Sequence, residues 1–161
     1  MHNHSGEIKI RLFAQDDLNA VLKIHKACKG VGVWGARDYE QLAADPRGAI
    51  LVAEQDGQML PNILGFLAFY RLEGEAEIWN LAIAPAYRRR GIARELLKEA
   101  CRLLSLVRVN RLFLEVRESN FPALELYRSF GFVLQARRKD YYQSPKEDAL
   151  VLVYHIIESG D

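Results

Sequence analysis

The chain has 161 residues, half of them hydrophobic and 27% charged, which fits one soluble domain with a sizeable core. Its 22 Lys+Arg against 21 Asp+Glu leave a net charge of +1, which argues against bulk attraction to nucleic acid or to a membrane surface. No apolar run approaches the roughly 20 residues of a membrane span, and the polar residues 1–7, with no signal-peptide core after them, are expected to form a tail before a single domain over 8–161.

Ile8, Ile10 and Leu12 alternate with charged residues and predict a half-buried first strand. Asp16 and Asp17 are placed to cap a helix carrying Leu18, Val21, Leu22 and Ile24. Residues 29–35 hold three glycines around Trp34 and read as a loop, and a short helix over 38–44 stops near Pro46. A strand over 50–54 runs to the Asp56-Gly57 turn signal. Strands over 63–70 and 76–83 follow, and the three pair as an antiparallel meander. Beyond Pro85, the positions Ile92, Leu96, Leu97, Ala100, Leu103, Leu104 and Val107 mark a long helix with a broad apolar stripe. Residues 111–116 are dense in apolar side chains and predict a strand buried on both faces, so strand, helix and strand form a right-handed parallel crossover. Pro122 opens a short helix over 121–130, with Asn120 as its cap and Gly131 as its stop. Strands over 132–137 and 149–156 complete an α+β fold around one mixed sheet.

Cys28 and Cys101 lie far apart in no metal-ligand spacing and read as free thiols of a reducing cytoplasm, with Cys101 packed inertly beside the apolar face of the long helix. His2, His4, His25 and His155 form no constellation, so no metal site is expected.

The chemistry concentrates at Arg88-Arg89-Arg90-Gly91-Ile92-Ala93, a glycine-containing turn between a strand and a helix. The free N–H groups of a helix start, with the helix dipole behind them, attract an anion. Gly91 lets the backbone approach it closely, and three arginines add charge and phosphate-shaped donors. Together they describe a pocket for a pyrophosphate.

Three stretches carry a resemblance. They are Ile78-Trp79-Asn80-Leu81-Ala82-Ile83 leading into Arg88-x-x-Gly91-x-Ala93; Leu114-Glu115-Val116-Arg117-x-Ser119-Asn120 with Ala123-Leu124-x-Leu126-Tyr127 and Gly131-Phe132; and Arg137-Arg138-x-x-Tyr141-Tyr142 followed by Glu147-Asp148-Ala149. In their order and spacing the chain resembles the GNAT-family acyl-CoA N-acyltransferases. Its C-terminal half is similar to the bacterial RimI-type enzymes that acetylate a ribosomal-protein alanine. The resemblance implies a GNAT-type fold: a mixed, mostly antiparallel central sheet with one parallel, splayed strand pair, flanked by helices. It implies acetyl-CoA as co-substrate and no metal.

By that resemblance, Arg88, Arg89, Arg90, Gly91, Ile92 and Ala93 wrap the CoA pyrophosphate. The strand end Leu81-Ala82-Ile83 lies along the pantetheine arm, pairing through Leu81 and Ile83. Asn120 bonds the cofactor, caps its helix, or does both. Glu115 interrupts an apolar strand, where a carboxylate must be paired, protonated, exposed at a strand end or functional. The resemblance makes it the general base; the alternative is an ion pair with Arg117 or another arginine. Glu77 is the rival base, in a context similar to the base-bearing strand of histone-type members. Tyr127 is the acid that protonates the departing CoA thiolate, or else part of a packing face with Leu124, Leu126 and Phe130. Trp34, Asn80 and Tyr141 lie on the acceptor side. There Val33-Trp34-Gly35 departs from the Pro-Trp-Ser/Thr-like segment of RimI-type enzymes.

The implied reaction is direct acetyl transfer to a primary amine, with a peptide N-terminus, such as that of a small-subunit ribosomal protein, as expected acceptor. A small amine or a lysine side chain is the alternative, and a CoA-binding regulatory module the non-enzymatic one. Neither membrane nor direct nucleic-acid binding is expected.

Overall fold

A computed structural model of the chain describes residues 6–28, 31–57 and 62–157. Residues 1–5 of the expected tail, with His2 and His4, and Lys29 and Gly30 of the expected loop lie outside the described residues. The described elements are β1 (Ile8–Leu12), α1 (Leu18–Ala27), α2 (Ala36–Ala44), β2 (Gly48–Gln55), β3 (Asn62–Leu72), β4 (Glu75–Ile83), α3 (Ile92–Leu106), β5 (Arg111–Arg117), α4 (Phe121–Phe130), β6 (Val133–Gln143) and β7 (Lys146–His155). Single 3-10 turns stand at Gln15–Asp17 and Pro85–Tyr87. The order is the one the sequence predicts.

The strands form one mixed sheet in the order β1-β2-β3-β4-β5-β7-β6. The β1–β2, β2–β3, β5–β7 and β6–β7 pairs are antiparallel and β4–β5 is parallel. The parallel ladder pairs Glu75 with Arg111, Ala76 with Leu112 and Glu77 with Phe113, while β4 runs on to Ile83 and β5 to Arg117. No helix among the described residues is long and apolar enough to cross a membrane. The chain divides into two compact units: one runs through Tyr70 and resumes over Trp79–Ala100; the other takes Arg71–Ile78 and the chain from Cys101 on.

In the first unit, Val21 and Ile24 of α1, Tyr39 and Leu42 of α2, and Ile50, Val52, Ile63, Phe66 and Ala68 of β2 and β3 form a core with Ala82. Each large apolar side chain buried there contributes about 1.5–3 kcal/mol. Two expectations are corrected. The first strand is not half-buried by alternation: β1 is an edge strand, so Ile8 and Leu12 are exposed and Ile10 is only half covered. Asp17 does not cap α1 with its side chain. Its carboxylate closes the preceding turn on the Ala14 N–H at 2.8 Å and accepts two bonds from Arg11, at 2.7 and 2.9 Å. A carboxylate 2% exposed needs a cation more than it needs a helix amide. Burial pushes the Asp17 carboxyl up, but the bonds from Arg11 and Ala14 outweigh it and hold the group below its ordinary range.

In the second unit, Leu112, Leu114 and Val116 of β5, Leu150 and Leu152 of β7, Leu124 and Tyr127 of α4, and Phe132 are buried. The prediction that β5 is buried on both faces is corrected: Phe113 and Glu115 on the alternate face are half-buried, because that face carries a carboxylate instead of core. Val107 is also off the helical stripe and exposed, since α3 ends at Leu106. There the Val109 N–H returns to the Leu104 carbonyl and the Arg108 N–H to that of Ser105, with Arg108 left-handed at φ 61°. That pair of bonds is a Schellman stop built without glycine. As predicted, the Asn120 side chain caps α4 on the Ala123 N–H at 3.3 Å, and Gly131 ends it at φ 121°.

Candidate active site

The first unit carries the arginine loop. Gly91 is left-handed at φ 77° and Arg89 at φ 62°, which turns the chain sharply before α3 begins at Ile92. The first bond at the helix start is Glu95 N–H to the Gly91 carbonyl, so the amides of the first helical turn, Ile92 and Ala93 among them, have no partner within the helix. A Cβ on Gly91 would meet nothing within 4 Å, so the turn is open. Unpaired amides at a helix start fit a phosphate group. The arginines behave differently from one another. Arg88 folds back, its Nε 3.4 Å from the Ile83 carbonyl and its Nη2 3.4 Å from Cys28 Sγ. Arg90 lies over the Tyr87 ring at 5.2 Å, and all three are exposed.

Upstream of the loop, Leu81 and Ile83 are half-buried and Ala82 is buried. The Ile83 carbonyl already accepts from Cys28 and Arg88, which leaves it less available to an incoming strand-like ligand than the sequence suggests. Gly65 on β3 lets the chain approach this strand end: a Cβ there would fall 2.9 Å from the Ala82 carbonyl oxygen. Asn80 is 4% exposed, with its carboxamide engaged by Tyr39 and Gly32. Trp34 is half-buried against Tyr39 and Trp79.

The second unit carries the titratable groups. Glu115 is paired, but not with Arg117: its partner is Arg138, 3.2 Å away. Arg117 instead bonds Glu147 and the Ser144 and Pro145 carbonyls and lies 4.1 Å over the Tyr142 ring. Tyr141 stands in a β6 bulge, where the pairing slips between Arg138 and Tyr142 and Asp140 turns left-handed at φ 52°. Bulges re-aim side chains, and Tyr141 faces Glu115, whose hydrogen bonding and charge hold the phenol above its ordinary range. Burial and Glu77 push the same way, and Arg138 opposes them. Glu77 pairs in register with Phe113, two residues before Glu115 on the same strand face, so both carboxylates point to one side of the ladder.

Tyr127 is 8% exposed, its ring edge-on to Phe132 at 5.4 Å. Its hydroxyl has no hydrogen-bond partner among the described residues, and no buried polar side-chain atom there is unsatisfied. The Tyr127 hydroxyl therefore keeps some accessible surface. Burial holds that phenol well above its usual range, so it stays protonated. Among the described residues, no group of three or more His, Cys, Asp and Glu is placed to hold a metal ion. Both cysteines are free, and burial pushes the Cys101 thiol up to about 12, which leaves it inert.

Sequence reasoning missed three features: Arg138 as the partner of Glu115, the bulge that turns Tyr141, and the engagement of Asn80 by Tyr39. The run Arg137-Arg138-Lys139-Asp140 within a strand was the available signal for the first two.

The model of the acetyltransferase (GNAT) family matches residues 18–132. The chain is 33% identical over 151 residues to the N-alpha-acetyltransferase RimI of Mycobacterium tuberculosis, covering 91% of this chain and 82% of that one. It is 37% identical over 98 residues to the ribosomal protein bS18-alanine N-acetyltransferase of Haemophilus ducreyi, covering 59% and 68%. The crystal structure of the ribosomal-protein-S18-alanine N-acetyltransferase from Escherichia coli superposes with a TM-score of 0.82 at 28% identity, over 96% of this chain and 97% of that one. The chain belongs to the GNAT family of acetyl-CoA-dependent acetyltransferases, which move acetyl to an amine, and within it is closely related to the bacterial ribosomal-protein-alanine N-acetyltransferases.

Proposed function

We propose that this enzyme acetylates the N-terminal α-amine of a protein, such as a small-subunit ribosomal protein, with residues 8–161 acting as one catalytic domain. The observation that carries the reading is the match to an N-alpha-acetyltransferase over 91% of the chain. Two free thiols and no membrane-spanning helix among the described residues suit a reducing cytoplasm.

Acetyl-CoA supplies an activated thioester. The N–H groups of residues 89–93 hold its pyrophosphate, with Arg89 and Arg90 adding charge and Arg88 bracing the loop. Leu81, Ala82 and Ile83 flank the pantetheine arm, and Asn120 acts through its cap on α4. Glu115 takes the proton from the attacking amine, positioned by Arg138 and Tyr141. Tyr127, kept protonated by burial, gives its proton to the departing thiolate. Trp34, Asn80 and Tyr141 shape the acceptor side. At pH near 7.4 about a third of a peptide α-amine is neutral but only about 0.1% of a lysine amine. A general base contributes about 10²–10⁴-fold, enough to serve either, so orientation of the acceptor decides the substrate.

The test is acetyl transfer to peptide libraries bearing free N-termini, blocked N-termini and internal lysines. Transfer that requires a free N-terminus is expected. Equal transfer to N-terminally blocked, lysine-containing peptides refutes the reading.

A further inference from the structure

The apolar core of the first unit contains a run of buried polar groups: His25, 9% exposed, Tyr39, 0%, and Asn80, 4%. They are bonded in series. Asn80 Nδ2 donates to the Tyr39 hydroxyl oxygen at 3.2 Å, and that hydroxyl lies 2.6 Å from His25 Nδ1. Which of Tyr39 and His25 donates is set by the imidazole tautomer; on the other side the Tyr39 oxygen accepts from Asn80 and so fixes which way the carboxamide faces. Asn80 Oδ1 is left to accept the Gly32 N–H, at 3.4 Å.

The Tyr39 ring reaches the same loop by a second route. Trp34 packs on it with centroids 5.0 Å apart. Phe66 and His25 stand edge-on to it at 5.5 and 5.8 Å, so the ring cannot swing away. Gly32 closes the circuit: a Cβ there would lie 3.6 Å from the Trp34 ring and 4.0 Å from Asn80 Oδ1. The Trp34 N–H also returns to the Gly32 carbonyl at 3.1 Å. Stability does not require this arrangement. Buried polar groups cost free energy unless all are paired, and an apolar set of the same shape serves a core as well. A fully bonded series specifies where its end points, and this one ends on Gly32.

We propose that Tyr39 is a positioning residue for acceptor recognition: its hydroxyl orients the Asn80 carboxamide onto Gly32 while its ring supports Trp34, so that one buried side chain fixes the loop that faces the acceptor. The assignment rests on the reading of Trp34 as an acceptor-side residue. Tyr39 touches no reacting group; it acts through Asn80 and Trp34.

Three variants test it. Tyr39→Phe keeps the ring and orphans both Asn80 Nδ2 and His25 Nδ1. The double variant Tyr39→Phe/Asn80→Leu removes the first of these orphans and regains part of the lost stability while leaving Gly32 without its acceptor. Trp79→Phe leaves Trp34 as the sole tryptophan, the chain having two, and so reports on the loop in the absence of substrate. Tyr39→Phe is expected to raise the acceptor KM by roughly 2- to 12-fold, the range for one net hydrogen bond, with kcat and the acetyl-CoA KM within about twofold. In the double variant the melting temperature recovers in part and the acceptor KM stays high. In the Trp79→Phe background, Tyr39→Phe is expected to shift Trp34 emission to the red and to increase its quenching by acrylamide. An acceptor KM that does not change, or that recovers together with stability, overturns the proposal. If the wild type acetylates no peptide amine, the proposed function fails on its own account. The emission of Trp34 still decides the role of Tyr39: an unchanged spectrum overturns it, and a shifted one upholds the link from Tyr39 to the loop.

Discussion

Substituting Gly91 separates backbone strain from anion binding. Gly91 sits at φ 77°, and a Cβ there meets nothing within 4 Å, so Gly91→Ala adds only the cost of a left-handed L-residue, about 1–2 kcal/mol. For a chain of this size each kcal/mol moves the melting temperature by about 2–4 °C, so the free Gly91→Ala protein should melt roughly 2–8 °C lower. Acetyl-CoA at 100 times its Kd stabilises the native state by about 2.7 kcal/mol, a rise of roughly 5–11 °C in the wild type. Gly91→Ala keeps the free N–H groups of the helix start and should keep most of that rise. Gly91→Glu carries the same backbone cost but sets a carboxylate among those amides, and should abolish it. Differential scanning fluorimetry with and without acetyl-CoA measures both quantities. An undiminished rise in Gly91→Glu would refute the placement of the pyrophosphate.

Glu115→Gln retains an acceptor for Arg138 and loses the ability to take a proton; turnover should fall by about 10²-fold or more while the acetyl-CoA thermal shift persists. If Glu77→Gln is the crippling change and Glu115→Gln is mild in the same steady-state assay, the base is Glu77. Tyr127→Phe keeps the ring against Phe132 and removes the hydroxyl, so kcat should fall on the order of 10- to 10²-fold with little change in acceptor KM; an unchanged kcat returns Tyr127 to a packing role. Asp17→Asn removes the buried partner of Arg11 and should cost about 2–3 kcal/mol in urea unfolding at pH 7. Because the native carboxyl is held below its ordinary value, its contribution is present above about pH 4 and is lost as pH falls through the native pKa. The gap between wild type and Asp17→Asn should therefore narrow at pH 3, and a gap that stays constant with pH would contradict the ion pair.

The features legible in the sequence are local ones. Asn120, Pro122 and Gly131 fix the ends of α4 through contacts within a few residues, and Gly91 marks a positive φ that a neighbouring helix start makes meaningful. The parallel crossover follows from strand, helix and strand in succession. What escaped depends on partners in other elements. Nothing near Asp17 says that Arg11, on a neighbouring strand, outbids the amides of α1. Nothing near Glu115 selects Arg138 over Arg117, because the choice is made by the β5–β7–β6 order and by a bulge. Asn80 looked like a ligand-facing residue since it ends an apolar strand; its engagement by Tyr39 depends on the packing of α2. The one-sided burial of β5 was obscured by Phe113, an apolar residue on the side that carries Glu115.

The outer edge of β6 has a further consequence, for solubility. A last strand with a free row of N–H and C=O groups is a template for a second chain. Here the middle of that row is Arg137-Arg138-Lys139, three cations in succession, and the pairing with β7 slips at Leu134/Ala136 and again at Arg138/Tyr142. A like strand laid alongside would meet its own positive charge and would find no straight register to follow. The cations act as gatekeepers against sheet extension, and they confine the vulnerable stretch to Val133 and Leu134, 54% and 59% exposed, too few residues to seed a fibril-like stack. The bulge that turns Tyr141 toward Glu115 thus also guards the enzyme against self-association.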